Sequence, residues 1–341
     1  MSRIQFAHSY QYIISLENLL EAWREFVNGK RSRKDVQEFE QDLMGNIIAL
    51  HRDLAAKTYR HSSYKPFNIA DPKPRNIHKA IVRDRLLHHA LYRTLYPFFD
   101  KTFIPDSYSC RLNKGTHKAM NRFRCFVYTV SKNHTKTAWV FKGDIRKFFS
   151  SIDHRILGDI IKEYIPDEDV GWLVAQVVDS FCSIKNGVGL PLGNLTSQLL
   201  VNVYMNEFDQ FVKHTLKAKY YIRFADDFVI VSPERAWLEN AFPKIEGFLW
   251  EKLRLQLHPD KISIQTIAAG VDFLGWVHFP DHRVLRTTTK KRMFRQIHEK
   301  NGKTETVQSC LGLLSYGNTE KLKKEVVETA DIVSGKVKDR N

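Results

Sequence analysis

The stretch YIRFADDFVIV, residues 221–231, decides the fold of this chain. Two runs of β-branched and aromatic residues flank the adjacent acids Asp226 and Asp227, a pattern typical of a tight hairpin with carboxylates at its tip. Successive side chains of a strand point to opposite faces, so neighbouring acids share one direction only where a turn redirects them. An isolated pair of acids is most often a solvated turn. A functional interpretation therefore needs another acid elsewhere in the chain.

That acid ends a second apolar run, AWVFKGDI at residues 138–145, which places Asp144 at the end of a predicted strand. Two strands of one sheet that each end in a carboxylate can hold divalent metal ions between them. A pair of ions about 4 Å apart suits phosphoryl transfer, because the attacking and the leaving oxygen both need charge stabilisation. Asp144 together with Asp226 and Asp227 therefore predicts a two-metal site.

The composition favours an ordered protein with a polyanionic partner. The chain has 341 residues, of which 43% are apolar, enough for a full core and roughly two or three lobes. Its formal net charge of +15 is typical of nucleic-acid binding rather than of a plain basic surface. The N-terminus lacks the apolar core of a signal peptide, and no stretch approaches the roughly 18 apolar residues of a membrane helix. We therefore expect a cytoplasmic protein with reduced cysteines and no membrane contact.

Helical periodicity dominates residues 1–62, after which the pattern becomes extended. The prolines of DPKPRNI, residues 71–77, exclude a helix there, because each proline biases its predecessor to extended geometry. Three cations in or after this segment are Lys73, Arg75 and Arg83. They are candidates for binding a triphosphate, a role for which bidentate arginine is well suited.

Two later features also suggest phosphate contacts. The glycine-rich loop NGVGLPLG, residues 186–193, precedes a predicted helix and is either an anion-binding loop or an ordinary connector. The segment 283–295 contains six Lys or Arg and no Asp or Glu. A charge run is usually a solvated face, but one this one-sided favours contacts with a phosphate backbone.

The order of these motifs resembles the reverse transcriptase family. The resemblance spans about residues 64–290 and is carried by GDI at 143–145, Phe149, LPLG at 190–193 with Ser197 and Gln198, FADD at 224–227, LHPDK at 257–261 and FLGW at 273–276. It implies an α+β right-hand polymerase fold with an antiparallel palm sheet. The implied segments are a helical N-terminal extension (1–62), fingers (63–135), a palm with finger insertions (136–279) and a basic helical thumb (280–341).

The resemblance also implies a catalytic set. Asp144 and Asp226 are expected to bind two Mg²⁺ ions, for which Mn²⁺ can substitute, with help from the backbone carbonyl of Ile145. Asp227 is expected to be a weaker ligand or a close neighbour of the ions. Lys261 is expected to donate a proton to the leaving pyrophosphate, and a positioned acid of this kind typically contributes about 10²–10⁴-fold.

The expected substrate contacts follow from the same resemblance. Phe149 is expected to lie under the sugar, where its ring leaves no room for a 2′-hydroxyl and so selects deoxynucleotides. The remaining expected contacts are the three cations named above and three residues in or after the glycine-rich loop: Lys73, Arg75, Arg83, Leu192, Gly193 and Gln198.

Three positions depart from many members of the family, the first and mildest being Phe224, where many have Tyr. Leu192 stands where many carry Gln, and Gln198 follows Ser197 where many have Pro; this variant is similar to the enzymes of diversity-generating retroelements. An amide at position 192 can hydrogen-bond near the incoming nucleotide and leucine cannot, which predicts a weaker check on base pairing. The implied partners are deoxynucleoside triphosphates, a structured template RNA, a cDNA/primer duplex, and a small basic accessory protein or self-association.

Three alternatives stay open. The same polymerase core occurs in bacterial antiviral reverse transcriptases. A catalytically idle RNA-binding or maturase-like module is a second possibility, although Asp144, Asp226 and Asp227 would then have no reason to converge. A nucleotide cyclase also pairs strand-borne acids on two metals, but it would not need Phe149 or a strongly basic C-terminal segment.

Overall fold

A computed structural model describes residues 3–70, 74–183 and 185–335. The N-terminal part is helical, as its periodicity predicts, and comprises α1 (Tyr10–Ile14), α2 (Leu16–Val27), α3 (Lys34–Gln41) and α4 (Leu43–Ala55). Ser15 and Asp42 accept hydrogen bonds from backbone N–H groups at the starts of α2 and α4. Such caps satisfy donors that have no partner inside the helix.

An exposed hairpin follows these helices. Its strands β1 (Lys65–Ile69) and β2 (Arg75–Lys79) pair antiparallel, and α5 (Val82–Phe99) and α6 (Thr116–Val130) come next. The His78 backbone N–H donates to the Leu192 carbonyl at 3.2 Å, and Asn194 Nδ2 donates to the His78 carbonyl at 3.2 Å. These bonds fix β2 beside the glycine-rich loop.

The central sheet has four antiparallel strands in the order β4-β5-β3-β6. They are β3 (Trp139–Asp144), β4 (Tyr221–Phe224), β5 (Asp227–Ser232) and β6 (Ser263–Thr266). The helices around it are α7 (His154–Lys162), α8 (Glu168–Val178), α9 (Leu195–Gln210) and α10 (Arg235–Leu253). One hydrophobic core joins the N-terminal helices, this sheet and α7–α10. The α+β class and the hairpin at 221–231 are confirmed.

The C-terminal part has its own small core. A three-stranded sheet, β7 (Val271–Phe273), β8 (Trp276–His278) and β9 (Arg283–Leu285), precedes α11 (Thr287–Glu299), α12 (Thr304–Leu314) and α13 (Glu320–Val333). Trp276 packs among apolar residues of these helices. A Cβ at Gly317 would lie 2.0 Å from the Trp276 ring, so the turn between α12 and α13 requires glycine there. Among the described residues, no helix combines the length and the apolar character needed to cross a membrane.

Candidate active site

Strand pairing brings the three predicted acids together. Asp144, the last residue of β3, is the register partner of Asp227, the first residue of β5. Asp226 lies in the turn before β5, and its carbonyl accepts a hydrogen bond from the Ile145 N–H at 3.2 Å. Directly opposed residues of an antiparallel pair have Cβ atoms about 4.5–5.5 Å apart and share a face. The side chains of Asp144 and Asp227 therefore lie on one face at the end of the sheet, and Asp226 lies in the adjoining turn.

The turn that carries Asp226 is tight. Phe224 pairs with Asp227, so only Ala225 and Asp226 lie between β4 and β5. Ala225 has φ of +55°, in the left-handed region, which costs a residue with a side chain about 1–2 kcal/mol. Arg223 Nη1 donates to the Ala225 carbonyl at 3.1 Å. A side chain from the preceding strand thus stabilises the strained backbone of the turn.

Arg223 belongs to a buried polar network that the sequence analysis missed. Its fully buried guanidinium forms a bidentate ion pair with Asp209 of α9, with Nε–Oδ1 at 2.8 Å and Nη2–Oδ2 at 2.7 Å. Tyr221 Oη also donates to Asp209 Oδ1 at 2.7 Å, and Arg223 Nη1 donates to Asn202 Oδ1 at 3.1 Å. The signal was a lone arginine inside an apolar strand, because a buried charge needs a partner.

Burial and mutual repulsion dominate the electrostatics of the acids. Burial raises the pKa of Asp226, and the nearby carboxylate of Asp144 raises it further. Burial also raises the pKa of Asp227 to about 6; Lys142 opposes this shift, whereas the other two carboxylates add to it. Asp227 Oδ1 is buried and has no hydrogen-bond partner among the described residues. Crowded carboxylates with an unsatisfied oxygen have the chemistry that a hard divalent cation prefers.

Lys261 places a positive charge against one of these acids. Its Nζ donates to Asp144 Oδ1 at 2.7 Å, and it belongs to the 3₁₀ turn Pro259–Lys261. The His258 N–H anchors that turn by donating to the Asp144 carbonyl at 2.8 Å. As arranged here, no three His, Cys, Asp or Glu side chains of the described residues surround a common point closely enough to hold a metal ion. The carboxylate oxygens of the three acids suit Mg²⁺ or Mn²⁺, provided that the hydrogen bond between Lys261 and Asp144 breaks.

Phe149 is held close to the glycine-rich loop. It lies in the 3₁₀ helix Phe148–Ser151 that follows β3, and its half-buried ring packs against the main core. The Leu190 N–H donates to the Phe149 carbonyl at 2.7 Å. This bond joins the segment after Asp144 to the loop that carries Leu192, which is itself half-buried.

Gly193, at the end of this loop, and Gln198, in the helix that follows it, line one cavity. Gly193 has φ of +99°, and a Cβ there would lie 2.8 Å from Ile77 Cγ2 of β2, so both its conformation and its contact require glycine. Gln198 lies half-buried in the first turn of α9. Both residues line a cavity of about 380 Å³ that also reaches β2 and α5.

The three predicted triphosphate cations differ in their surroundings. Arg75 begins β2, is exposed, and lies near enough to the acids for its charge to oppose the rise in the pKa of Asp226. Arg83 instead pairs with Asp53 Oδ2 of α4 at 2.5 Å and lies over the Tyr59 ring. Lys73 lies outside the described residues. Arg75 is therefore exposed and within electrostatic range of Asp226, whereas Arg83 is paired with an N-terminal helix.

Comparison with known proteins adds an independent finding. A family model described as "Reverse transcriptase (RNA-dependent DNA polymerase)" matches residues 69–278. Protein YkfC of Escherichia coli K12 is 26% identical over 61% of this chain and 62% of its own length. Group II intron-encoded protein LtrA of Lactococcus lactis subsp. cremoris is 22% identical over 84% of this chain and 58% of its own length. The chain therefore spans about three fifths of the length of these curated relatives.

Proposed function

Because the chain belongs to the reverse transcriptase family, we propose that it is an RNA-directed DNA polymerase that joins deoxynucleotides by two-metal nucleotidyl transfer. The proposal rests above all on the register pairing of Asp144 with Asp227 beside the Asp226 turn. Its substrates are deoxynucleoside triphosphates, a template RNA and a cDNA/primer duplex. We place this activity in the cytoplasm.

Asp144, Asp226 and the Ile145 carbonyl are the proposed ligands of two Mg²⁺ ions, with Asp227 as a weaker ligand. When bound, the ions would stabilise the charge on the attacking and leaving oxygens. Lys261, which bonds Asp144 in this arrangement, is proposed to move to the leaving pyrophosphate and protonate it. Arg75 and Lys73 are the proposed triphosphate contacts. Arg83 can contact the triphosphate only if its ion pair with Asp53 first breaks.

A primer-extension assay separates this proposal from the alternatives. The full chain is incubated with a primed RNA template, deoxynucleotides and Mg²⁺, and elongated primer is resolved by length. Template-dependent elongation supports the polymerase. RNA binding without synthesis would favour the idle module, and release of pyrophosphate without a primer would favour a cyclase.

Replacement of Phe149 by alanine is expected to admit ribonucleotides. If the ring fills the space of a 2′-hydroxyl, its removal should raise ribonucleotide incorporation relative to deoxynucleotides by about tenfold or more, because steric discrimination of this size is worth about 1–3 kcal/mol. The measurement compares kcat/KM for matched ribo- and deoxynucleotides. Phe149→Tyr keeps the ring and should keep the exclusion; equal exclusion in Phe149→Ala would refute the gate role.

Replacement of Leu192 by glutamine is expected to lower misincorporation. One restored hydrogen bond is worth about 0.5–1.5 kcal/mol, which corresponds to roughly two- to tenfold in error rate. Sequencing of cDNA made on a defined template measures the rate. Leu192→Met conserves volume without adding an amide and should misincorporate like the unmodified protein. An unchanged error rate in Leu192→Gln would count against this role.

The biological setting proposed is a diversity-generating retroelement, in which error-prone cDNA is copied from a structured RNA with a small basic accessory protein or through self-association. Relatives named as intron-encoded proteins support a retroelement, and they also favour a second candidate, a maturase-like role in RNA splicing. A role in antiviral defence is the third candidate setting. A near-identical DNA repeat pair beside the gene would favour diversification, whereas an adjoining intron would favour the splicing role.

A further inference from the structure

A second pocket lies where three parts of the chain meet, away from the acids. This junction pocket has a volume of about 290 Å³ and lies between α6, the β8–β9 turn and the turn that joins α12 to α13. Its polar and aromatic lining includes Arg124, Phe279, Asp281, His282, Arg283 and Tyr316. It shares no lining residue with the site of Asp144 and Asp226. Its volume lies just below the range of typical ligand pockets, which begins at about 300 Å³.

Two guanidinium groups, those of Arg124 and Arg283, line this pocket together with a single carboxylate, that of Asp281. Among the described ion pairs, none joins Arg124 or Arg283 to a carboxylate. Arg283 is anchored by neutral acceptors, because Nε donates to the Tyr316 carbonyl and Nη2 donates to Asn121 Oδ1 at 3.3 Å. Its Nη1 is buried and has no partner among the described residues. Two like charges near each other with an unsatisfied donor indicate an anion site.

The other titratable groups at the pocket cancel only part of this charge, because one carboxylate, Asp281, stands against two arginines. Asp281 is paired with His282, whose Nδ1 lies 2.7 Å from Asp281 Oδ1. His278 is buried, and burial lowers its pKa to about 4, so it is neutral at pH 7. Burial lowers the pKa of Arg283, and the neighbouring Arg124 lowers it further, as expected of adjacent cations. With two arginines against one carboxylate, the pocket keeps a net positive charge at neutral pH.

Aromatic rings stand beside the two arginines. Tyr316 keeps 37% of its surface exposed and is stacked on His117. Phe279 is stacked on His282 with ring centroids 4.7 Å apart. Unpaired bases stack on such rings while their phosphates bind arginine.

We propose that the junction pocket binds the phosphate of a nucleotide unit through Arg124 and Arg283, with the base against Tyr316. This goes beyond the proposed polymerase function, because the pocket is separate from the acids. The nucleotide unit is part of an RNA strand or is a free nucleoside monophosphate; both present the same phosphate chemistry. Binding here would link α6 to the thumb helices at a point outside the polymerase active site.

The test measures how tightly the full chain binds a short single-stranded RNA across a range of salt concentrations. A separate measurement uses guanosine monophosphate as the ligand. Arg124→Gln is expected to weaken RNA binding by about tenfold at low salt and to reduce the salt slope by about 0.7. The matched control is Arg155→Gln, which removes one charge from another exposed helical arginine and should have a smaller effect. Arg124 has no described side-chain bond, so its replacement should not disturb folding.

Hydrogen exchange locates the ligand. RNA is expected to protect the backbone at 279–283 and 315–318, and this protection should be lost in Arg124→Gln and Arg283→Gln but kept in Arg155→Gln. If guanosine monophosphate protected these backbone segments while Arg124→Gln bound RNA as tightly as the unmodified protein, the pocket would be supported as a site for a free nucleotide. Absence of protection by either probe, together with equal affinities of Arg124→Gln and Arg155→Gln, would overturn the proposal.

Discussion

Asp226→Asn is expected to reduce primer extension by about a thousandfold or more. The change removes one anionic ligand from the proposed metal pair while keeping the size of the side chain in the two-residue turn. Metal ions contribute several kcal/mol of charge stabilisation to the transition state, and each 1.36 kcal/mol is tenfold in rate. The single-turnover rate on an RNA template, measured at saturating Mg²⁺, gives the effect.

Asp260→Asn is the matched control for this loss. Asp260 lies next to Lys261 on the same short turn, but its side chain is 88% exposed. Its replacement should leave the extension rate within about twofold, because exposed charges contribute little. If Asp226→Asn extended primers as fast as Asp260→Asn does, the acids at the β4–β5 turn would not be the metal site.

The part of the site that follows from local patterns could be predicted from the sequence. Strand propensity on both sides of Asp226 predicted the hairpin, and the apolar run before Asp144 predicted its partner strand. Side-chain alternation along a strand sets only the face on which each residue lies, so the pairing of Asp144 with Asp227 is supplied by the structure. The helical N-terminal part was predicted by periodicity, and the helical C-terminal part by the family resemblance.

Contacts between residues distant in the chain could not be predicted in this way. Arg83 shares its sequence neighbourhood with Arg75, yet it pairs with Asp53 because α5 packs beside the N-terminal helices. The bond from Lys261 to Asp144 depends on how the 3₁₀ turn is anchored to the end of β3. Such partners are selected by tertiary packing, which local patterns in a single sequence do not reveal.

Arg223→Met is expected to destabilise the protein by about 3–5 kcal/mol, the usual cost of removing one partner of a buried ion pair. The reason is that Asp209 would keep a buried negative charge with only Tyr221 as a donor, because both side chains of the pair are fully buried. Urea unfolding measures the loss. Arg24→Met is the control, since Arg24 forms an exposed pair with Glu21, and it should cost about 1 kcal/mol or less.

Addition of Asp209→Asn to Arg223→Met separates the two roles of the network. Removing the orphaned charge should recover part of the lost stability. Primer extension should stay low at a temperature where the double variant is folded, because the Ala225 carbonyl still lacks the donor that holds its left-handed turn. If activity returned together with stability, Arg223 would serve only the fold. If stability returned without activity, Arg223 would be the residue that positions Asp226.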